Sequence, residues 1–489
     1  MKKKRFVVGL LALIILAGCV FVLVGCDAKL DRLNFYDIEA KFCEENMSLE
    51  CDQSVTYFNN SENVLDEVCF FLYANAYDEG QKTISTAYFD KAYPNGASYG
   101  NIEFEKIESS GQKKKFAISE DKTILTVDLE QDLFPDESIV IDMSYVVYLA
   151  NINHRLGYGE NTVNFGNFFP IACVYEKGFV KNKFTPNGDP FYSEASNFKV
   201  KIFCPEEYVV ASTGNKVESI AEGLKIVECS AERVRDFCFV ASKNFDVKIC
   251  QIEDVEVKYF FYDDENAQEH LRTSVKAIET FSELFSKYPY KQLSVVQTNF
   301  CFGGMEYPNL VMISDQIKDD ATYNYVIVHE IAHQWWYGMV GNNQYEDAWL
   351  DEGLTEFSTA LFFENNTEYG FDYEEIMTNA TQVYQNFVKV FEKINGQVDE
   401  TMSRNLSEFT TEPEYVNIAY TKGMLLFDSL RTSMSDSKFF RCLKTYFKEY
   451  QYMNSSPDKL ISSFSKTSHR NLNKFFEAWI DGSVIVGIS

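Results

Sequence analysis

The chain has 489 residues, of which 46% are hydrophobic and 16% aromatic, so we expect two or three domains with large apolar cores. With 73 acidic against 45 basic side chains, the formal net charge is −28. A surface this acidic excludes a nucleic-acid-binding protein, because such binding needs basic patches that displace counterions from phosphates.

The first 26 residues have the composition of an export signal. Residues 2–5 are all Lys or Arg, and residues 6–25 carry no charge, which is typical of a signal peptide or one membrane-spanning helix. Two stretches that end at Cys19 and Cys26 resemble bacterial lipoboxes, whose Cys becomes the lipid-modified first residue. Because a charged stretch follows Cys26, we predict residues 1–26 as signal peptide and anchor, with Cys26 as the lipidated residue and Cys19 as the alternative.

An uncleaved membrane helix is the other interpretation of this segment. Both interpretations place the bulk of the protein outside the cytoplasm, on the outer face of a bacterial cell membrane. Ten further cysteines follow Cys26. Export permits disulfides, but most of these cysteines lie in apolar strand-like runs, so free buried thiols and bridges both stay open.

The pattern of strands and helices changes near residue 249. Before it, short aromatic and β-branched runs such as 124–129 and 198–203 alternate with turn formers such as Pro-Asn-Gly at 94–96. After it, apolar residues recur at helical spacing over 265–288, 323–339, 350–363, 420–433 and 437–450, with one strand at 293–297. We therefore predict an α+β protein, with a β-rich sandwich or saddle domain at 27–248 and a mainly helical domain at 249–489.

The motif His329-Glu330-x-x-His333 lies on the predicted helix at 323–339. Two His four residues apart project from one helix face and can bind the same metal ion, while Glu330 is placed to act on water beside it. Glu352 follows His333 by 19 residues, which suits a helix, a turn and a return on an antiparallel neighbour. Two His and one Glu leave a fourth position open, as in catalytic zinc sites, so we predict one Zn²⁺ per chain.

Glu356 is a further candidate for this site. It lies one turn beyond Glu352 on the same predicted helix, where its carboxylate could accept a hydrogen bond from a ligand imidazole. An ordinary solvated acid on an exposed helix face is the alternative, and the sequence leaves both open.

Three motifs together resemble the aminopeptidase N and leukotriene hydrolase family of gluzincins. They are residues 302–308, 329–357 and 420–423, in the order and spacing of that family. Residues 166–170 and 188–193 of the β-rich half are similar to bacterial members, so the resemblance covers nearly the whole mature chain. It implies a thermolysin-like catalytic domain and a zinc metallopeptidase that acts on peptides.

The resemblance also implies roles for single residues. The family's exopeptidase motif matches Gly303, Gly304, Met305 and Glu306. Its glycines would let an extended substrate pass along the backbone, and Glu306 would bind the free α-ammonium of a peptide. Tyr420 matches the family's oxyanion-binding Tyr, and Glu330 would be the general base. The implied activity is that of an aminopeptidase.

Two departures from the family keep alternatives open. Tyr307 stands where the family has Asn, which bears on recognition of the first residue. Only 69 residues follow Tyr420, so we expect no helical-repeat domain and a more open cleft. The alternatives are an open-cleft endopeptidase on the same scaffold and, from another class, a lipid-anchored peptide-binding protein without catalytic activity.

Overall fold

A computed structural model describes residues 32–82, 84–484 and 486. The predicted signal segment, with Cys19 and Cys26, lies outside these residues. Within the described part of the chain, no helix is both long and apolar enough to cross a bilayer. The ten cysteines from Cys43 to Cys442 are all free thiols, and eight of them are buried.

The first half of the chain folds almost entirely into strands. In chain order, β1 to β16 are Phe35–Cys43, Ser48–Phe58, Leu65–Phe71, Asn101–Ser109, Gln112–Lys113, Phe116–Ile118, Ile124–Leu133, Ser138–Tyr148, Leu156–Tyr158, Val163–Phe165, Ile171–Ala172, Ser196–Pro205, Val209–Ser212, Asn215–Ala221, Leu224–Val234 and Phe239–Ser242. A short helix, α1 (Phe89–Ala92), interrupts them.

These described strands form an eight-stranded sheet, β14-β15-β12-β1-β2-β8-β4-β5, and two four-stranded sheets, β13-β16-β10-β9 and β11-β3-β7-β6. Alternation of side chains explains the layering. In β2, Leu49, Cys51 and Val55 are buried while the intervening Glu50 and Asp52 are exposed. The inward residues form a core that continues into the second half of the chain.

A five-stranded sheet opens the second half. Its strands β17 to β21 are Asp246–Ile252, Val255–Phe261, Gln292–Thr298, Gly304–Met305 and Leu310–Ser314, in the order β17-β18-β19-β21-β20. The strands β18, β19 and β21 run parallel, and every residue of β19 is buried, as expected for a parallel strand covered on both faces. Both edge strands, β17 and β20, are antiparallel to their neighbours, and β20 carries Gly304 and Met305.

Helices dominate the remainder. In chain order, α2 to α10 are Ala267–Leu284, Asp320–Ala332, Trp349–Asn365, Tyr373–Asn395, Glu412–Tyr415, Lys422–Thr432, Asp436–Tyr450, Pro457–Ser468 and Asn473–Ile480, with a short parallel pair formed by β22 (Val340–Gly341) and β23 (Met453–Asn454). This succession of a β-rich half and a mainly helical half confirms the predicted α+β class.

The helix predicted to reach residue 339 ends earlier. The α3 helix begins at its cap, Asp319, whose carboxylate accepts the Thr322 N–H, and ends at Ala332. Beyond it Tyr337 adopts a φ of 114°, and the chain turns into β22. The turn depends on pairing with β23, more than a hundred residues later, which helical periodicity alone does not show.

Candidate active site

The three predicted metal ligands converge at the junction of α3 and α4. His329 lies in the last turn of α3, His333 caps that helix, and Glu352 lies in the first turn of α4. The two Nε2 atoms are 3.2 Å apart, and Glu352 Oε2 lies 3.5 Å from His329 Nε2 and 3.2 Å from His333 Nε2. All three side chains are buried.

This triangle fits a zinc ion. A tetrahedral ion with ligand bonds of about 2.0 to 2.2 Å separates its ligand atoms by about 3.3 to 3.6 Å, close to the three distances found here. In addition, the buried Oε2 of Glu352 has no hydrogen-bond partner within the described chain. An oxygen in that state is suited to a cation, because burial without a partner is costly.

Neighbouring groups orient the two imidazoles. His333 Nδ1 lies 2.9 Å from the Trp336 carbonyl oxygen and 3.1 Å from the Thr355 hydroxyl. A proton on Nδ1 therefore leaves the Nε2 lone pair directed at the ion. His329 Nδ1 lies 3.4 Å from Glu356 Oε1, which brings Glu356 behind this imidazole, although the separation is longer than an ordinary hydrogen bond.

The electrostatics of the ligands favour a positive charge at their centre. Burial would raise the pKa of Glu352, but the neighbouring imidazoles of His333 and His329 hold that pKa at about 2. Burial would conversely lower the pKa of His333, but the Glu352 carboxylate raises it to about 10. A divalent cation can replace the protons that these imidazoles otherwise retain.

Glu330 lies beside the triangle and against the edge strand β20. Burial raises the pKa of Glu330 to about 8, against the opposing effect of the His329 imidazole. A Cβ atom on Gly304 would lie 2.3 Å from Glu330 Oε1, so only glycine lets the strand approach this closely. A peptide extended along β20 would consequently lie next to a carboxyl group that can exchange protons near neutral pH.

Tyr420 reaches the ligands from a π-helical turn, Val416–Thr421, that precedes α7. Its hydroxyl donates to Glu352 Oε1 at 2.7 Å, and its ring lies parallel to that of His329 at 6.0 Å. Two glycines permit this approach, since a Cβ atom on Gly353 would lie 2.6 Å from the Gly423 Cα. The close crossing of α4 and α7 thus brings Tyr420 to the metal site.

Glu306, predicted to bind the substrate ammonium, lies just beyond β20 and is 3% exposed. Gln344 Nε2 donates to Glu306 Oε1 at 3.1 Å and to Asp351 Oδ2 at 2.7 Å. Gln344 therefore fixes the Glu306 carboxylate, a contact that sequence reasoning missed. No local signal identified it, because Gln344 lies in an irregular connection between the two metal-binding helices.

Asp189 is a second residue that sequence reasoning gave no role. One oxygen each of Asp189, Glu306 and Glu352 lie within 4.8 Å of one another. The buried guanidinium of Arg155 pairs with Asp189 and lies over the ring of Phe302. Burial raises the pKa of Asp189 to about 7, although the Arg155 charge opposes this shift. Its only sequence signal was the family-like stretch at 188–193.

A cavity of about 260 Å³ lies beside the metal ligands. Its walls include Gly303 and Gly304 on one side, His329, Glu330 and Tyr420 on the metal side, and Arg155 with residues 185–189 from the β-rich half. The sequence predicts a cleft more open than in longer family members, and within this cleft the metal ligands and Glu330 are all buried, with His329 the most exposed at 8%. Residues 185–189 of the β-rich half line the cavity, which the helical pattern could not indicate.

Comparisons with known proteins agree with this geometry. Residues 269–479 match the model of the Peptidase family M1 domain. The aminopeptidase N of Lactococcus lactis subsp. lactis is 26% identical over 235 residues, which are 43% of this chain and 26% of that protein. Human endoplasmic reticulum aminopeptidase 2 is 25% identical over 236 residues, which are 44% of this chain and 23% of that protein. The matched region spans about a quarter of the length of these curated relatives.

Solved structures extend the likeness to the β-rich half. The M1 zinc metallopeptidase of Deinococcus radiodurans superposes with a TM-score of 0.66 at 16% identity, covering 93% of this chain and 94% of that one. A mutant of the same enzyme bound to a Tyr-Ser-Ala substrate superposes with a TM-score of 0.65, at the same identity and with the same coverage of both chains. At this identity the likeness establishes the fold.

Fold and site together define a zinc metallopeptidase domain of the gluzincin class. More narrowly, residues 269–479 match the Peptidase family M1 domain, and this match confirms the resemblance to the aminopeptidase N-like family drawn from the sequence motifs.

Proposed function

We propose that this protein is a zinc-dependent aminopeptidase that releases N-terminal residues from peptides. One observation carries the proposal: a carboxylate oxygen of Glu306 lies within 4.8 Å of oxygens of Asp189 and of the zinc ligand Glu352. An ammonium group bound by Glu306, with Asp189 beside it, would hold the first peptide bond at the metal. The position of the Glu306 carboxylate beside the ligand triangle supports exopeptidase over open-cleft endopeptidase action.

His329, His333 and Glu352 would hold the zinc ion, which when bound supplies Lewis-acid activation of water and of the scissile carbonyl. Glu330 would accept the proton of the attacking water and return it to the leaving amine. Its raised pKa, about 8, suits a group that must both take up and release a proton near neutrality. These intact groups favour an enzyme over a non-catalytic peptide-binding protein.

The Tyr420 hydroxyl would donate a hydrogen bond to the oxyanion that develops on the substrate carbonyl. In the structure that hydroxyl is held by Glu352 Oε1 at 2.7 Å, so it lies at the ligand triangle before substrate arrives. One such donor contributes about 3 to 4 kcal/mol in comparable sites. The unpaired edge of β20, at Gly304 and Met305, would align an extended substrate beside Glu330.

The test compares peptides that have a free amine with their N-acetylated forms. An ammonium–carboxylate pair in a partly dry site is worth about 2 to 4 kcal/mol, or about 30- to 1,000-fold in kcat/KM. We expect the wild-type protein to show this preference and Glu306→Ala to lose most of it while retaining zinc. Glu279→Ala, an exposed carboxylate on α2, is the matched control.

Equal cleavage of free and acetylated peptides by the wild-type protein would refute the aminopeptidase and favour the endopeptidase. Absence of cleavage at full zinc content would instead favour a peptide-binding protein.

We also propose that the protein is anchored through Cys26 to the outer face of the bacterial cell membrane. The support for this location is the uncharged run of residues 6–25 and the lipobox at its end, residues 23–26.

A further inference from the structure

A carboxylate that is not among the predicted site residues lines the cavity. Glu412, the first residue of α6, lines the cavity together with Tyr88 and Ser85. The Tyr88 hydroxyl donates to Glu412 Oε1 at 2.6 Å, joining the two halves of the chain across the cavity. Within the described chain, no cation lies within 4 Å of Glu412, and its Oε2 receives no hydrogen bond.

Apart from Glu330 beside the metal ligands, the other charged groups of the cavity wall have partners within the described chain. Arg155 and Asp189 form a buried pair, in which the guanidinium also lies over the Phe302 ring. Glu356 accepts a hydrogen bond from the Tyr325 hydroxyl, and its other oxygen lies 3.4 Å from His329 Nδ1. Glu330 and Glu412 are therefore the two carboxylates of the wall without a cationic partner in the described chain, and Glu412 is the one outside the metal site. Its side chain is only partly exposed, so its charge acts on a bound group more strongly than it would in bulk water.

The walls between the metal site and Glu412 suit a long side chain with a charged end. The rings of Tyr88 and Phe302 lie 4.9 Å apart and line the cavity beside the backbone of Gly303. Methylene groups of Lys or Arg can pack on such rings while the cationic head reaches a carboxylate. A substrate aligned on β20 with its ammonium at Glu306 would direct its first side chain into this space.

We propose that Glu412 determines specificity, so that the protein removes Arg or Lys from the N-termini of peptides in preference to uncharged or acidic residues. This inference rests on the proposed aminopeptidase activity. Arg155 does not reverse the preference, because Asp189 neutralises it at the cavity wall. Tyr88 contributes by fixing one oxygen of Glu412 and leaving the other for the substrate cation.

The test uses single-residue fluorogenic amides of Arg, Lys, Leu and Glu, which vary only the first side chain. For the wild-type zinc protein, we expect kcat/KM for Arg and Lys to exceed that for Leu at least tenfold, with Glu the poorest. Glu412→Gln keeps an acceptor for Tyr88 and should lower the Arg and Lys values 10- to 100-fold. The Leu value should stay within threefold, and Glu279→Gln should change neither.

Wild-type kcat/KM for the Leu amide equal to or above that for the Arg amide would overturn the inference. A preference for the Glu amide would also overturn it, and would indicate that Arg155 determines specificity. A folded Glu412→Gln that retains the full Arg preference would overturn it as well. In these cases the free-amine amides are still cleaved, so the aminopeptidase stands. Failure to cleave any free-amine amide, with N-blocked peptides cleaved, would instead refute the proposed function and this inference with it.

Discussion

The Tyr307 hydroxyl donates a hydrogen bond to Asn167 Oδ1, which ties the helical half of the chain to the β-rich half. Tyr307 is fully buried, and a Cβ atom on Gly166 would lie 2.1 Å from its hydroxyl oxygen. Asn167 Nδ2 in turn donates to Asp236 Oδ2 at 2.6 Å. The residue that replaces the family's Asn thus holds the two halves together and does not face the substrate cavity.

Tyr307→Phe should therefore affect stability rather than substrate recognition. Loss of the hydroxyl leaves the buried Asn167 Oδ1 unpaired, so the free energy of unfolding should fall by about 1 to 3 kcal/mol. Urea unfolding measures this change, and the ratio of rates for free and acetylated peptides should match that of the wild-type protein. A stable Tyr307→Phe protein with no free-amine preference would return Tyr307 to the recognition site.

Glu330→Gln should bind zinc normally and yet lose activity by several orders of magnitude. The substitution keeps the volume of a side chain that packs against Gly304 but removes its ability to accept a proton. Metal analysis and peptide hydrolysis, measured on the same preparation, separate the two effects. Activity within tenfold of wild type, about 1.4 kcal/mol in the barrier, would exclude Glu330 as the general base.

Gly353→Ala should weaken both the fold and the site. Its Cβ atom would meet the Gly423 backbone and push α4 and α7 apart, and overpacking of this kind costs about 1 to 3 kcal/mol. The same displacement would move Tyr420 from Glu352 and lower kcat more than zinc affinity. Gly178→Ala is the control, since nothing lies within 4 Å of a Cβ atom there. Equal unfolding free energies for the two variants would show that the crossing is not tight.

The anchor can be tested by mass spectrometry of the mature protein from its native membrane. A diacylglyceryl-modified Cys26 at the N-terminus is the expected species, because the charged stretch begins immediately after it. Modification at Cys19 would transfer the anchor to the first lipobox. An unmodified peptide that spans residues 24–29 as the main species would contradict lipid anchoring altogether.

The sequence alone determined the ligand set and the succession of a β-rich half and a mainly helical half. Two His four residues apart must share a helix face, and the spacing to Glu352 suits a return on the next helix, so local geometry suffices. Alternation and helical periodicity likewise give strands before residue 249 and most of the helices after it, because each reports which face of a local element is buried. The sequence did not predict β18, β20 and β21, which lie beyond that boundary.

Only the tertiary structure decided what surrounds the metal site. Three side-chain hydrogen bonds join residues far apart in the sequence. Arg155 donates to Asp189, 34 residues away, and Tyr307 donates to Asn167, 140 residues away. Tyr88 donates to Glu412, which is 324 residues away. The contacts of Tyr307 with Asn167 and of Glu412 with Tyr88 depend on how the β-rich half packs on the helical half, and the contact of Asp189 with Arg155 depends on packing within the β-rich half. Periodicity carries no information about either packing. The lining of the cavity and the Glu412 carboxylate on its wall arise from these long-range contacts, since each joins side chains whose local sequence gives no sign of the other.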